Sequence, residues 1–183
     1  MSLPPIARVR QHVRQPEVED VPSAVALAIR KSRIAARIPP GGSVAVTVGS
    51  RGIAGLDVVV RATVETLRTS GFAPFIVAAM GSHGGGTSEG QRALLAELGV
   101  SEDSIGCAIR CEMDTAVVGT NSFGLPIHFD ANALKADGIV LLNRIKPHTS
   151  FTGRYESGLL KMLTIGLGKR QGPRRSTSSA CRA

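Results

Sequence analysis

The sequence predicts a three-layer α/β fold around a mostly parallel sheet, and two observations carry this prediction. Short apolar runs end at glycine or polar residues at 43–48, 73–80 and 138–143, and such runs are typical of strands buried on both faces. Between the first two runs lies a longer stretch with apolar residues at helical spacing. Strand and helix therefore alternate, as they do in α/β domains.

The first predicted helix spans residues 20–38 and precedes the first strand. Its apolar residues recur at helical spacing and leave the basic residues largely on the solvent side. The apolar set is Val21, Val25, Ala28, Ile29 and Ala36. The following Pro-Pro-Gly-Gly sequence ends the helix and leads into the strand at 43–48.

The next helix is predicted over 55–71, where residues such as Leu56, Val60 and Leu67 recur every three or four positions and Gly71 stands at the C-terminal cap. After the strand at 73–80, Ser88 and Gln91 have the spacing of a capping box, which predicts a third helix.

The later elements are predicted from weaker patterns. Residues 105–111 are a candidate strand, and the sequence around 121–124 predicts a hairpin turn. The strand at 138–143 is followed by a polar loop and a helix predicted over 159–167.

Composition narrows the function classes. The chain has 183 residues and a net charge of +8, but residues 41–168 hold ten basic residues against eleven acidic ones, so the excess lies at the two ends. Aromatic residues make up only 3%, which disfavours nucleic-acid binding by base stacking. No stretch reaches the roughly 18 apolar residues of a membrane span, and the N-terminus lacks a secretory signal, so we expect a cytoplasmic protein. The three cysteines indicate neither a disulfide framework nor a zinc site.

In open α/β sheets, ligands bind at the carboxyl ends of the strands. Three predicted loops fall there, at 49–55, 81–87 and 144–157. Their candidate functional residues are Ser50, Arg51, Ser82, His83, Thr87, Lys146, His148 and Arg154. Two of the four histidines thus follow strands in equivalent positions.

Each candidate also has an ordinary structural interpretation. His83 lies among glycines, which allow close approach to a ligand but also suit a flexible turn, and the loop lacks the pattern of a P-loop. His148 follows Pro147 and could be a surface histidine. Arg51 could bind a carboxylate or phosphate through two hydrogen bonds, or be a solvated surface charge. Lys161 interrupts an apolar run, so it either extends to solvent or supplies a reactive amine. Asp137 is a weaker candidate for orienting a neighbouring group.

Several motifs, in this order, resemble the N-terminal domain of the nickel-dependent lactate racemase family over roughly residues 40–172. They are Gly81-Ser82-His83-Gly84, Thr87-Ser88-Glu89, Leu98-Gly99, Gly124-Leu125-Pro126-Ile127, Lys146-Pro147-His148 and Lys161. The resemblance implies a Rossmann-like α/β domain of a racemase or epimerase that acts on small 2-hydroxy acids by proton-coupled hydride transfer.

The resemblance also implies a nickel-pincer nucleotide (the nickel complex of pyridinium-3,5-bisthiocarboxylic acid mononucleotide) as cofactor. His83 and His148 match the family's two catalytic bases, and Lys161 matches the lysine that is joined to the cofactor. Ser50 and Arg51 match a loop expected to contact the cofactor phosphate or the substrate carboxylate, and Gly84 belongs to the cofactor-binding loop.

The sequence departs from the family pattern at three points. The glycine pair that the family has beside the lysine is missing, which implies a substrate other than lactate. No histidine follows His148 to bind nickel, so the metal ligands stay unassigned. The third departure is the absence of the pattern of a second domain. We expect an N-terminal arm and helix at 1–40, the racemase-like domain at 41–172, and an irregular basic tail at 173–183 in place of a second domain, as a frameshift or premature stop would produce.

Two other function classes remain open. One is a non-catalytic α/β module that binds small anions through Arg51, the glycine loop and Lys146. The other is a basic protein that associates with nucleic acid through its charged ends. The oligomeric state is not predicted.

Overall fold

The computed structural model describes residues 7–12, 16–50, 53–146 and 157–172. Its strands are β1 Ser43–Val48, β2 Ala73–Ala78, β3 Ile109–Arg110, β4 Thr115–Thr120, β5 Pro126–Asp130 and β6 Gly138–Leu141. Its α-helices are α1 Val21–Lys31, α2 Leu56–Thr69, α3 Ser88–Glu97, α4 Glu102–Ile105, α5 Ala131–Leu134 and α6 Leu159–Lys161. Among these residues, every helix is too short or too polar to cross a membrane.

The central sheet has the strand order β3-β2-β1-β6, and every neighbouring pair is parallel. β1 lies at its predicted position, whereas β2 and β6 end two residues earlier than the apolar runs that predict them. β4 and β5 form a separate antiparallel hairpin with the predicted turn at 121–124. The structure therefore confirms the α/β fold class and its mostly parallel sheet.

One face of the sheet packs against helices. Val44, Val46 and Val48 alternate along β1, as side chains do on one face of a strand, and they belong to the apolar clusters formed with α1, α2 and α3. The buried positions of α2 include Val60 and Leu67, which lie on the predicted apolar face of that helix. Periodic amphipathic sequence builds this layer.

The other face is covered differently. Ala45, Phe75 and Val77 point to this side and pack with residues from the hairpin, α5 and the segment that follows α6. Leu167, in that segment, is fully buried. This third layer is a mixture of short elements that follow one another late in the chain.

Two predicted helix boundaries are wrong. The helix predicted over 20–38 ends at Lys31, because Ser32 hydrogen-bonds back to Ile29 and Arg33 adopts a left-handed conformation with φ 56°. A short 3₁₀ turn, Ile34–Ala36, follows. The capping box is also wrong: Thr87, not Ser88, caps α3 through Gly90 N, and Gln91 turns its side chain inward.

Two of the later element predictions are only partly right. The candidate strand at 105–111 contributes just Ile109–Arg110, because α4 and its left-handed cap at Gly106 occupy the preceding residues. The helix predicted over 159–167 begins as α6 and continues as a π-helical turn, Met162–Gly166. We call residues 157–172 the C-terminal segment.

Candidate functional site

The carboxyl ends of three parallel strands lie side by side. Val48 is in register with Ala78 across β1 and β2, and Thr47 is in register with Leu141 across β1 and β6. The chain segments that leave these strands therefore begin at the same edge of the sheet, which we call the carboxyl edge. It is the edge at which parallel α/β sheets bind ligands.

Ser50 and His83 meet at this edge. Ser50 Oγ lies 2.5 Å from His83 Nδ1, a hydrogen bond that joins the loop after β1 to the loop after β2. The Ser50 side chain is half-buried, whereas His83 is exposed. A hydrogen bond at one ring nitrogen fixes the orientation and the tautomer of an imidazole. The contact therefore holds the His83 ring in place without burying it.

The loop that carries His83 depends on left-handed glycines. Gly81, Gly84, Gly85 and Gly86 all have φ between 62° and 68°, a conformation that other residues adopt at a cost. Gly84 also passes so close to the start of α3 that a Cβ on it would lie 2.5 Å from the carbonyl carbon of Gly90. Glycine at position 84 is thus required by both conformation and space.

Gln91 supports this loop from below. Its side chain is fully buried, and Nε2 donates to the carbonyl oxygens of Gly81 at 2.9 Å and His83 at 3.3 Å. Gln91 Oε1 is buried without a hydrogen-bond partner among the described residues. The amide therefore fixes the backbone on both sides of Ser82.

The C-terminal segment lies over the same loops. Gly81 N donates to Gly166 O at 3.2 Å, and a Cβ on Gly49 would lie 3.4 Å from Met162 Cε. Lys161 stands at the end of α6, next to Met162, with an exposed side chain. The structure thus gives Lys161 the solvent-facing position of the two interpretations, and its attachment to a cofactor stays a prediction.

Asn143, two residues after β6, lies near the start of the C-terminal segment. A Cβ on Gly158 would lie 3.9 Å from Asn143 Nδ2, so the amide lies beside the start of that segment. Asn143 Nδ2 is buried and has no partner among the described residues. Buried polar atoms of this kind are normally satisfied by protein, water or ligand, so the carboxyl edge holds unused hydrogen-bonding capacity.

Some predicted site residues lie outside the described part of the chain. These are Arg51, His148 and Arg154. The prediction that His83 and His148 face one substrate therefore stays a prediction, as does a role for Arg51. Lys146 is described and exposed. Gly84 and Ser50 lie within the same pair of loops as His83, and Lys161 lies on the segment that covers them.

The structure adds residues that the sequence patterns did not single out. Lys169 is fully buried and forms an ion pair with Asp130, Nζ to Oδ2, at 2.9 Å. Arg170 packs its side chain against the glycine loop, since a Cβ on Gly86 would lie 2.7 Å from its Cδ. The one sequence signal was at Asp130, which precedes a short helix as an N-cap residue does; nothing in the local sequence marks Lys169 as buried.

Other candidates lie elsewhere. Asp137 is at the opposite edge of the sheet, where its carboxylate accepts hydrogen bonds from Ser43, so the neighbour it orients is Ser43 and not a group at the carboxyl edge. His128 lies in the hairpin with Nδ1 3.1 Å from Thr115 Oγ1.

Burial raises the pKa of both the Cys107 and the Cys111 thiol, which makes neither a reactive nucleophile. In the described ranges, no three His, Cys, Asp or Glu residues are grouped as metal ligands would be.

The fold and this edge define an α/β domain whose loops after parallel strands form a polar, partly exposed surface, which is the candidate site. The chain matches the family described as the lactate racemase N-terminal domain over residues 6–172, and it belongs to that family. The family membership predicted from the ordered motifs is thereby confirmed. Comparisons with curated proteins and with solved structures find no match.

Proposed function

We propose that this chain is the catalytic N-terminal part of a racemase or epimerase that inverts the C2 carbon of a small 2-hydroxy acid. Its family membership supports the isomerase class. The observation that carries the proposal is the hydrogen bond from Ser50 to His83 at the carboxyl edge, beneath the segment that bears Lys161.

His83 acts as the base that takes the proton of the substrate hydroxyl. Imidazole is suited to this work because its unperturbed pKa lies near neutrality. Ser50 keeps the ring oriented toward one side of the site, and Gln91 holds the backbone on which the ring stands. In this proposal His148 performs the same task for the other enantiomer, and Arg51 binds the substrate carboxylate or the cofactor phosphate.

The cofactor implied by the family resemblance is a nickel-pincer nucleotide, which when bound supplies a site that accepts a hydride from C2 and returns it. The chain's residues fit such a group at two points. Lys161 is exposed on the segment that lies over the His83 loop. Asn143 Nδ2, which has no partner within the described ranges, can donate to a polar ligand beside Gly158. Ser50 and the glycine loop at Gly84 would border the nucleotide.

A cofactor-free module that binds small anions through Arg51, the glycine loop and Lys146 is the alternative. Its loops would be the same, but Lys161 would stay unmodified and no turnover would follow. A nucleic-acid role would instead give salt-sensitive DNA affinity that disappears when residues 173–183 are removed.

Co-expression with the enzymes that make the cofactor tests the proposal. We expect intact-mass analysis to show an adduct on Lys161, nickel to co-purify, and at least one 2-hydroxy acid to racemise in a chiral assay. Lys161→Arg should lose the adduct. His83→Ala should keep the adduct but lower turnover by about 100-fold or more, while the hairpin variant His128→Ala should behave as wild type. Unmodified Lys161 without nickel would favour the anion-binding module.

A further inference from the structure

A buried ion pair joins the C-terminal segment to the sheet. In the part of the chain that the structure describes, Lys169 is the largest of the fully buried side chains, and it and Asp130 are each only 1% exposed. Neither residue has a part in the chemistry proposed above. A lysine is almost never fully buried without a specific partner, so the contacts of this amine need an explanation.

Both members of the pair hold further elements of the fold. Lys169 Nζ donates to Ala78 O at 2.7 Å and lies 2.9 Å from Asp130 Oδ2, a contact with the distance but not the geometry of a hydrogen bond. Asp130 Oδ1 accepts from Ala133 N at 2.7 Å and so caps α5. The amine therefore connects the end of β2, the end of the hairpin and the C-terminal segment.

Stability alone does not account for this arrangement. Removing two charges from water is costly, and well-packed apolar residues of similar volume often stabilise a protein as much or more. Lys169 also adopts φ 51°, in the left-handed region that non-glycine residues avoid. A strained residue with a desolvated charge is retained where the surrounding contacts require that geometry. The pair therefore specifies a position.

Two contacts join the C-terminal segment to the chain around the His83 loop. Ala78, which accepts from Lys169, is the last residue of β2 and leads into the loop of His83. A second bond, from Gly81 N to Gly166 O, joins the same loop to the π-helical turn after Lys161. The two contacts fix the C-terminal segment at two points along the chain that carries the base.

We propose that Lys169 and Asp130 are a positioning pair that sets where the Lys161 segment lies against the His83 loop. The inference rests on the proposed function, because only that function requires the tethering lysine and the base to address one substrate. It also makes a physical claim that holds for the chain without cofactor: the ion pair controls the local stability of the contact between Gly81 and Gly166.

Residue-resolved amide hydrogen exchange on the full chain tests this claim. The variants are Asp130→Asn, which keeps the α5 cap but neutralises the carboxylate, and the double variant Lys169→Met with Asp130→Leu, which replaces the pair by apolar side chains. Arg92→Met is the matched control, since it breaks the half-exposed ion pair with Glu102.

In both pair variants we expect exchange at Gly81 and across Met162–Leu167 to accelerate about tenfold or more while Val44–Val48 keeps its protection. The Arg92 control should leave the Gly81 amide unchanged. Wild-type exchange at Gly81 in the double variant would overturn the proposal. So would an equal loss of protection throughout the chain, or failure of both variants to fold, because the pair would then serve the whole domain.

The cofactor-loaded chain provides a second readout. If the proposal holds, the double variant keeps the Lys161 adduct and its KM but loses turnover, by up to about 100-fold for a displacement near 1 Å. Unchanged turnover would contradict the positioning role. If wild type itself neither binds the cofactor nor turns over, the proposed function fails, while the exchange result still decides whether the pair places the segment.

Discussion

The two edges of the parallel sheet are built from opposite kinds of contact. At the amino edge, Asp137, which precedes β6, accepts hydrogen bonds from Ser43 N at 2.7 Å and Ser43 Oγ at 2.8 Å, and Gly138 lies against the Ile38 side chain. At the carboxyl edge, the Ser50 to His83 bond joins two loops, one of which contains four left-handed glycines.

Buried polar atoms show the same difference. Gln91 Oε1 and Asn143 Nδ2, both near the carboxyl edge, have no hydrogen-bond partner among the described residues. An unsatisfied buried polar group costs about 1–3 kcal/mol. The polar groups described at the amino edge have hydrogen-bond partners at short distances. The carboxyl edge includes unsatisfied polar groups, which lower stability, and it holds particular side chains in place. That division is expected where one edge of a sheet carries the site.

Substitution of Gly84 should have the largest effect of those that separate the two edges. Gly84→Ala places a side chain at φ 64°, which costs about 1–2 kcal/mol. It also forces the new Cβ against the backbone of Gly90 and Gln91, and overpacking adds about 1–3 kcal/mol. We expect a lower free energy of unfolding in urea and altered NMR shifts at His83.

Gly85→Ala is the matched control. Gly85 has a similar φ of 68°, but a Cβ there meets no atom within 4 Å, so only the conformational cost of about 1–2 kcal/mol applies. If the two variants unfold at the same urea concentration, the close approach of Gly84 to α3 does not shape the loop, and the two edges differ less in their packing.

Loss of the N-cap of α3 should have the next largest effect on stability. Thr87 Oγ1 accepts from Gly90 N at 3.1 Å, and loss of such a cap costs about 1 kcal/mol. Thr87→Ala should therefore destabilise the protein by about that amount in urea unfolding, whereas Ser88→Ala should stay within about 0.5 kcal/mol of wild type. The reverse order would restore the capping box that the sequence predicts.

This error shows where sequence patterns lose their power. The parallel strands and α2 are predictable because apolar periodicity is a local signal, and β1 lies at its predicted bounds. The Ser88 and Gln91 spacing is local as well, but Gln91 serves the loop instead, because Gly81 and His83 present carbonyl oxygens to it. A contact that depends on tertiary structure produces no residue spacing in the sequence from which it could be predicted.

The candidate site divides in the same way. Its loops are predictable from the alternation of strands and helices, and the motif around His83 indicates the family. The burial of Lys169 is not predictable, because a lysine in a glycine-rich stretch is expected at the surface. Its buried partner, Asp130, comes from another part of the chain. The two residues can pair because the hairpin and the C-terminal segment pack on the same face of the sheet.

The smallest expected effect lies at the amino edge and depends on pH. Hydrogen bonds from the Ser43 hydroxyl and amide hold the pKa of Asp137 below its ordinary value. A carboxyl whose pKa is lower in the folded than in the unfolded state stabilises the fold above its unfolded pKa, and that contribution disappears as the pH falls through the folded value. Stability of wild type and Asp137→Asn should therefore differ at pH 7 and converge in acid.

NMR titration of the Asp137 side chain provides the direct measurement, with Ser43→Ala as its matched control. That variant removes the hydroxyl donor but keeps the amide, so the pKa of Asp137 should rise part of the way toward its ordinary value. Because Asp137 is exposed, solvent limits the free energy at stake. If the stability difference between wild type and Asp137→Asn stays constant from pH 7 into acid, the charge of Asp137 does not stabilise this edge, and packing alone accounts for its structure.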